Sequence, residues 1–167
     1  MKYYINNFII YSILGFILET TLKYVFFPKL HNGSLYGPWI PVYGFGVCLI
    51  IAIMRTIFNR IKTNRIIKVI LLFITSTILL TILELLGGHL IEFITGKIFW
   101  DYSKMKFNIG HYICLEISLI WGITSLLIVY IIKPQTDKLI KKIPSIITYS
   151  VLFLFLIDLI FSLINLD

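Results

Sequence analysis

The chain has 167 residues, 59% of them hydrophobic, with a mean hydropathy of +0.95 and a formal net charge of +7. That length fits one domain, and an apolar share well above the ~45–50% of soluble domains excludes an ordinary water-soluble fold. The basic residues flank apolar runs instead of forming a patch of their own, so they read as topology signals and exclude a nucleic-acid partner.

About 20 apolar residues cross the ~30 Å hydrocarbon core of a bilayer as a helix. By that measure the sequence predicts five spans in one integral membrane domain covering residues 1–167: about 5–27, 38/41–58, 67–86, 112–132 and 145–166. The first carries Glu19 and Lys23 and has no small-residue cleavage site, so it is expected to stay as an anchor and not be removed as a signal peptide. The third is expected to bend at Gly87-Gly88 and run on to Ile94. The predicted fold class is an all-α polytopic transmembrane bundle with irregular, re-entrant outer loops.

Ten basic residues fall on one side of these spans: Lys2, five between the second and third spans (Arg55, Arg60, Lys62, Arg65, Lys68), and Lys133, Lys138, Lys141 and Lys142 between the fourth and fifth. Five lie on the other: Lys23, Lys29, Lys97, Lys104 and Lys106. The positive-inside rule then puts the N-terminus in the cytoplasm and the C-terminus outside. Heavy Ile, Lys and Asn usage points to an AT-rich bacterial genome, and hence to the bacterial plasma membrane.

Acids inside apolar runs are the informative feature. Glu19, Glu84, Glu92, Glu116 and Asp158 all fall there, and each carboxylate at bilayer depth costs ~2.5–3.5 kcal/mol on insertion scales. With His31, His89 and His111 they lie toward the predicted outer side. Four-residue repeats align Tyr11, Gly15, Glu19 and Lys23 on the first span, and Thr77, Thr81, Glu84, Gly88 and Glu92 on the third. Ser118, Gly122 and Ser125 give the fourth a small-residue face; Ser150, Asp158, Ser162 and Asn165 share a face of the fifth. Such stripes should face the bundle interior, where Glu19 and Glu84 would be neighbours or share a cavity.

Two outer segments break the helical pattern. Residues 32–46 (Asn-Gly-Ser-Leu-Tyr-Gly-Pro-Trp-Ile-Pro-Val-Tyr-Gly-Phe-Gly) hold two prolines and four glycines, and such backbone is tolerated at membrane depth only where protein buries it or it lines a wet cavity. A helix start with proline in its first turn is the plainer reading, and the two are compatible. Residues 100–110 join belt aromatics, Trp100 and Tyr102, to the turn and cap formers Asp101, Ser103 and Asn108.

Candidate ligand-binding residues are therefore Glu19, Asn32, Tyr36, Tyr43, Glu84, Trp100, Asp101, Tyr102 and Asn108, with His89, Glu92, Glu116 and Asp158 as secondary candidates. His89 and Glu92 can meet on one helix face, but no metal or nucleophile motif accompanies them, no catalytic residue is assigned, and neither metal nor cofactor is expected. Cys48 and Cys114 sit in apolar runs without ligand spacing and read as small buried hydrophobes. A Walker A sequence is absent, so this chain is not expected to hydrolyse ATP by that route.

The glutamate of the first span, the run from Asn32 to Gly44, Glu84, Trp100-Asp-Tyr-Ser103, Phe107-Asn108 and the stretch from Gly110 to Trp121 together resemble the CmpB-like family, labelled "putative ABC-transporter type IV". The resemblance covers about residues 8–125, departs mildly at Gly15-Phe16 where the family pattern has Gly-Trp, and leaves the fifth span unmatched. It implies a small polytopic membrane protein with a transport role. Cytoplasmic loops of only about ten residues are short for docking an ATPase, which suits a small substrate-capture subunit working with partners.

The function expected from sequence is thus a multi-pass protein that binds a polar or cationic ligand, or a lipid headgroup, in an outward-facing acidic cavity, as a transporter or transporter subunit. Its expected partners are the lipid bilayer, an ATPase or other transporter subunit, and further copies of itself. The alternatives are a membrane-embedded enzyme acting on lipid or envelope substrates, or a structural accessory subunit.

Overall fold

A computed structural model describes residues 1–26, 35–58 and 60–165. Among the described residues the regular elements are all helices, apart from one small hairpin. Helix α1 covers Lys2–Phe26, α2 Pro41–Ile53, α3 Arg65–Thr95, α4 Leu115–Leu127, α5 Lys133–Ile140 and α6 Ser145–Ile164. Strands β1 (Asn108–Ile109) and β2 (Ile113–Cys114) pair antiparallel between α3 and α4. Among the described residues, four helical stretches are long and apolar enough to cross a membrane: Pro41–Phe58, Arg65–Thr95, Leu115–Ile140 and Ser145–Ile164. Helix α1, at 25 residues, is also long enough to cross, and it carries Asn6, Asn7 and Glu19.

One expectation about helix ends needs correcting. Lys133 and Pro134 do not open a loop, because the fourth helix runs on to Ile140. Proline has no N–H to donate, and a π turn over Ile128–Ile132 directly precedes it, with the Lys133 N–H bonded five residues back to the Ile128 carbonyl. The third helix continues past Gly87-Gly88 as expected, since α3 is one helix of 31 residues. Its start is fixed by Asn64, whose side-chain oxygen accepts the Ile67 N–H at 2.8 Å. Its end is Gly96, at φ 65°, whose N–H returns to the Glu92 carbonyl.

Helix α3 is inverted relative to a soluble helix. Its buried face is Leu72, Ser76, Leu80, Glu84 and Gly88, one residue per turn and mostly small or polar. Ile70, Ile74, Ile78, Ile82, Leu86 and Leu90 stand exposed, again one per turn. An apolar exterior around a small or polar interior is what a lipid-facing helix requires.

The chain divides into two compact units, Met1–Phe45 with Thr136–Asp167, and Gly46–Gln135. In the first, α1 packs along α6, and Phe8 meets Phe45 and Phe155 with ring centroids at 4.9 and 5.2 Å. Thr148, Phe155 and Ser162, seven residues apart, form the buried face of α6. Of the predicted face, Ser162 belongs to it and Asp158 is half-buried, while Ser150 and Asn165 are exposed. The Thr148 hydroxyl donates to the Asn6 side-chain oxygen at 2.8 Å.

In the second unit α3 lies against α4. The buried face of α4 is Ser118, Gly122 and Ser125, as its small residues predict. A methyl group added at Gly122 would lie 2.2 Å from Thr77 Oγ1 and 2.7 Å from the Phe73 ring, so the close approach of α3 and α4 depends on that glycine. An apolar cluster of Ile50, Phe58, Leu72 and Leu80 completes the unit, joined by Leu83 and the ring of Trp121.

Candidate functional site

The acids of the spans share one kind of partner. Each of four is held by the O–H or N–H of an aromatic residue.

Glu84 is the most enclosed. It is 5% exposed and sits at the C-terminal half of the α3 interior stripe. One carboxylate oxygen accepts the Tyr102 hydroxyl at 2.9 Å and the other the Trp121 indole N–H at 3.1 Å. Tyr102 comes from the α3–α4 connection and Trp121 from α4, so three segments converge on one carboxyl group. Two turns on, Glu92 accepts the Tyr112 hydroxyl at 2.8 Å. Its other neighbour is His89 at 3.9 Å, a ring that also stands edge-on to Tyr112.

The connection between α3 and α4 supplies the donors and is itself well bonded. The hairpin turns at Gly110, φ 67°, a left-handed conformation that glycine adopts without cost. The Asn108 side-chain amide donates to the Gly110 carbonyl at 2.9 Å, and the Trp100 indole N–H to the Tyr112 carbonyl at 3.3 Å. The Tyr102 N–H reaches the His111 carbonyl at 2.7 Å. Asp101 accepts the Ser103 N–H at 2.8 Å and lies 3.2 Å from His111 Nδ1. These contacts, the Ser103 N–H foremost, hold the Asp101 carboxyl below its usual range. Burial, reinforced by Glu92, pushes the Tyr112 phenol up to about 12.

Glu116 and Cys114 complete this unit. Oε2 of Glu116 is buried without a hydrogen-bond partner. The Cys114 thiol donates to Met105 Sδ at 3.5 Å and is pushed up, first by burial, then by the charges of Glu116 and Glu84. Cys114 is fully buried and unpaired. Among the described residues no group of three His, Cys, Asp or Glu is placed to hold a metal.

The first unit repeats the pattern. Glu19, exposed on α1, accepts the Tyr43 hydroxyl at 3.0 Å, and the Tyr43 ring covers Gly15, where a methyl group would lie 2.4 Å from it. Asp158 of α6 accepts the Trp39 indole N–H at 2.6 Å and the Gly37 N–H at 3.1 Å through one oxygen. The Ile40 N–H bonds the Ser12 carbonyl. The described part of the Gly- and Pro-rich segment is thus tied down by protein groups, which satisfies backbone that no helix provides for. Tyr36 is 70% exposed, its ring 5.8 Å from that of Phe161. Asn32, His31 and Lys29 lie outside the described residues.

The candidates therefore fall into two groups. Glu84, His89, Glu92, Trp100, Asp101, Tyr102, Asn108 and Glu116 belong to one unit, and Glu19, Tyr36, Tyr43 and Asp158 to the other. Sequence reasoning missed Trp39, Tyr112 and Trp121 as partners of the acids. A signal was available, because a buried Trp or Tyr needs an acceptor for its polar hydrogen, and carboxylates are the strongest acceptors in these spans.

Over residues 6–163 the chain matches the family described as "Putative ABC-transporter type IV". The match continues beyond residue 125 through nearly all of α6, farther than the motifs alone reach. No curated protein and no solved structure matches the chain.

Proposed function

The chain belongs to this ABC-transporter-related family of membrane proteins, and on that premise we propose that it binds a cationic ligand, or the cationic part of a lipid headgroup, at its acid–aromatic sites and serves a transporter as a ligand-binding subunit. The observation that carries this reading is the environment of Glu84, a buried carboxyl group whose bonds among the described residues come from the neutral donors Tyr102 and Trp121. Neutral donors orient a carboxylate without cancelling its charge. A cation arriving beside it would gain the Coulomb attraction and the faces of nearby aromatic rings, each worth ~0.5–2 kcal/mol. Glu19 with Tyr43 has the same chemistry in the other unit. The excess of Lys and Arg on one side of the spans supports an N-terminus in the cytoplasm, a C-terminus outside, and ligand capture from outside. The bacterial plasma membrane is the setting in which that reading is made.

A structural role has one observation in its favour: the Glu84 bonds also fasten the α3–α4 connection to both helices. Glu84→Gln separates the two. It keeps the size and an acceptor but removes the charge, so binding or uptake should be abolished while expression and folding persist. A variant that folds poorly yet still binds would favour the structural reading.

A further inference from the structure

Away from the acids, the first unit has an open cavity of about 320 Å³ lined by Lys2, Tyr3, Asn6, Ile140 and Lys141. We propose that it binds a phosphate-bearing anion, with Lys2 and Lys141 supplying charge and Asn6 a directed hydrogen bond.

Three observations converge on this. First, Asn6 is 3% exposed; its side-chain oxygen is spent on the Thr148 hydroxyl, and its side-chain nitrogen is a buried donor with no partner. A buried donor left unmade costs ~1–3 kcal/mol, and a ligand oxygen in the adjoining cavity would satisfy it. Second, among the described residues neither Lys2 nor Lys141 is in an ion pair. The neighbouring carboxylate, Asp137, already accepts the Tyr3 hydroxyl at 2.9 Å. Third, the volume lies at the low end of small-ligand sites, ~300–1,000 Å³, enough for a headgroup phosphate and its ester oxygens. Both lysines belong to the basic side of the spans, where the cytoplasmic leaflet presents anionic lipid. A headgroup phosphodiester and a free phosphate share the required chemistry.

The full-length protein in phosphatidylcholine nanodiscs, with and without phosphatidylglycerol, distinguishes these sources. Native mass spectrometry reads retained lipid, and thermal melting in inorganic phosphate or glycerol phosphate reads the soluble arm. Selective retention of phosphatidylglycerol with no soluble response assigns a lipid headgroup. Stabilisation by either soluble anion assigns a free phosphate.

Lys2→Gln combined with Lys141→Gln should weaken the response at least about tenfold. Asn6→Asp should do the same, because it keeps the acceptor for Thr148 and replaces the unpartnered donor with an oxygen. Lys138→Gln with Lys142→Gln removes equal charge from residues that do not line the cavity, and should leave most of the response. No response in either arm overturns the proposal. So does an equal loss in the two lysine pairs, which would mark general surface attraction; this comparison decides the matter even if Asn6→Asp fails to fold.

Discussion

The Trp121 indole N–H points at Glu84 across the α3–α4 contact, 3.1 Å from the carboxylate oxygen that Tyr102 does not use. Each oxygen thus has one donor, and each donor comes from a different segment. Trp121→Phe or Tyr102→Phe should each destabilise the protein by ~1–3 kcal/mol, the cost of a buried acceptor left unmade, visible as a lower melting temperature in detergent. Glu84→Gln and Glu19→Gln should abolish ligand binding or uptake at normal expression. Wild-type behaviour in both would remove the acids from the site.

Adjacent glycines of α3 should respond oppositely to alanine. At Gly88 an added methyl group would lie 2.4 Å from the Tyr112 ring, whereas at Gly87 nothing stands within 4 Å. Gly88→Ala should displace Tyr112 and so disturb its bond to Glu92, with a clear drop in thermal stability. Gly87→Ala should be neutral, or stabilising by up to ~1 kcal/mol through helix propensity. Equal effects would mean that the Tyr112 ring does not lie over Gly88.

Acid should loosen the α3–α4 connection. The Asp101 carboxyl has a lowered folded-state pKa, owing first to the Ser103 N–H and then to His111. A group of that kind gives its stabilisation fully above its unfolded pKa, ~3.9, and loses it as pH falls through the lower folded value. Hydrogen exchange around residues 101–103 and 111 should therefore accelerate below about pH 4, and Asp101→Asn should be fast at every pH. An acid response that survives in Asp101→Asn would place its origin elsewhere.

Alkali should act through Tyr112, whose phenol is raised to about 12. A raised pKa leaves stability intact below the unfolded value, ~10, and removes it as pH rises through the folded one. Ultraviolet titration should show late tyrosine ionisation, and Tyr112→Phe should reduce that late component. A titration indistinguishable from free tyrosine would contradict the buried phenol.

Single cysteines placed near the two termini, on a background lacking Cys48 and Cys114, should be labelled from opposite sides of the membrane by an impermeant reagent. The N-terminal probe is expected to react only after permeabilisation. Labelling of both from one side would mean an even number of crossings, and α1 would then not span.

The helices were legible because long apolar runs bounded by Lys and Arg leave little choice of structure at this composition. The extension through Lys133 and Pro134 was not, since proline reads locally as a stop and only the preceding π turn makes it compatible with a helix. The acids could be found from their cost in an apolar run. Their partners could not be paired from spacing alone, because Glu84 meets residues 18 and 37 positions away. The α6 face was legible only in part for a related reason: Ser150 is polar but exposed, while Thr148, two positions earlier, is bonded to Asn6.

The inverted surface of α3 changes what holds such a protein together. Isoleucines directed at acyl chains gain as much from lipid as from a neighbouring helix, so trimming Ile74 or Ile78 should tax membrane insertion more than assembly. Cohesion between helices has to come from contacts that lipid cannot imitate, such as a glycine seated under an aromatic ring or an indole donating to an acid.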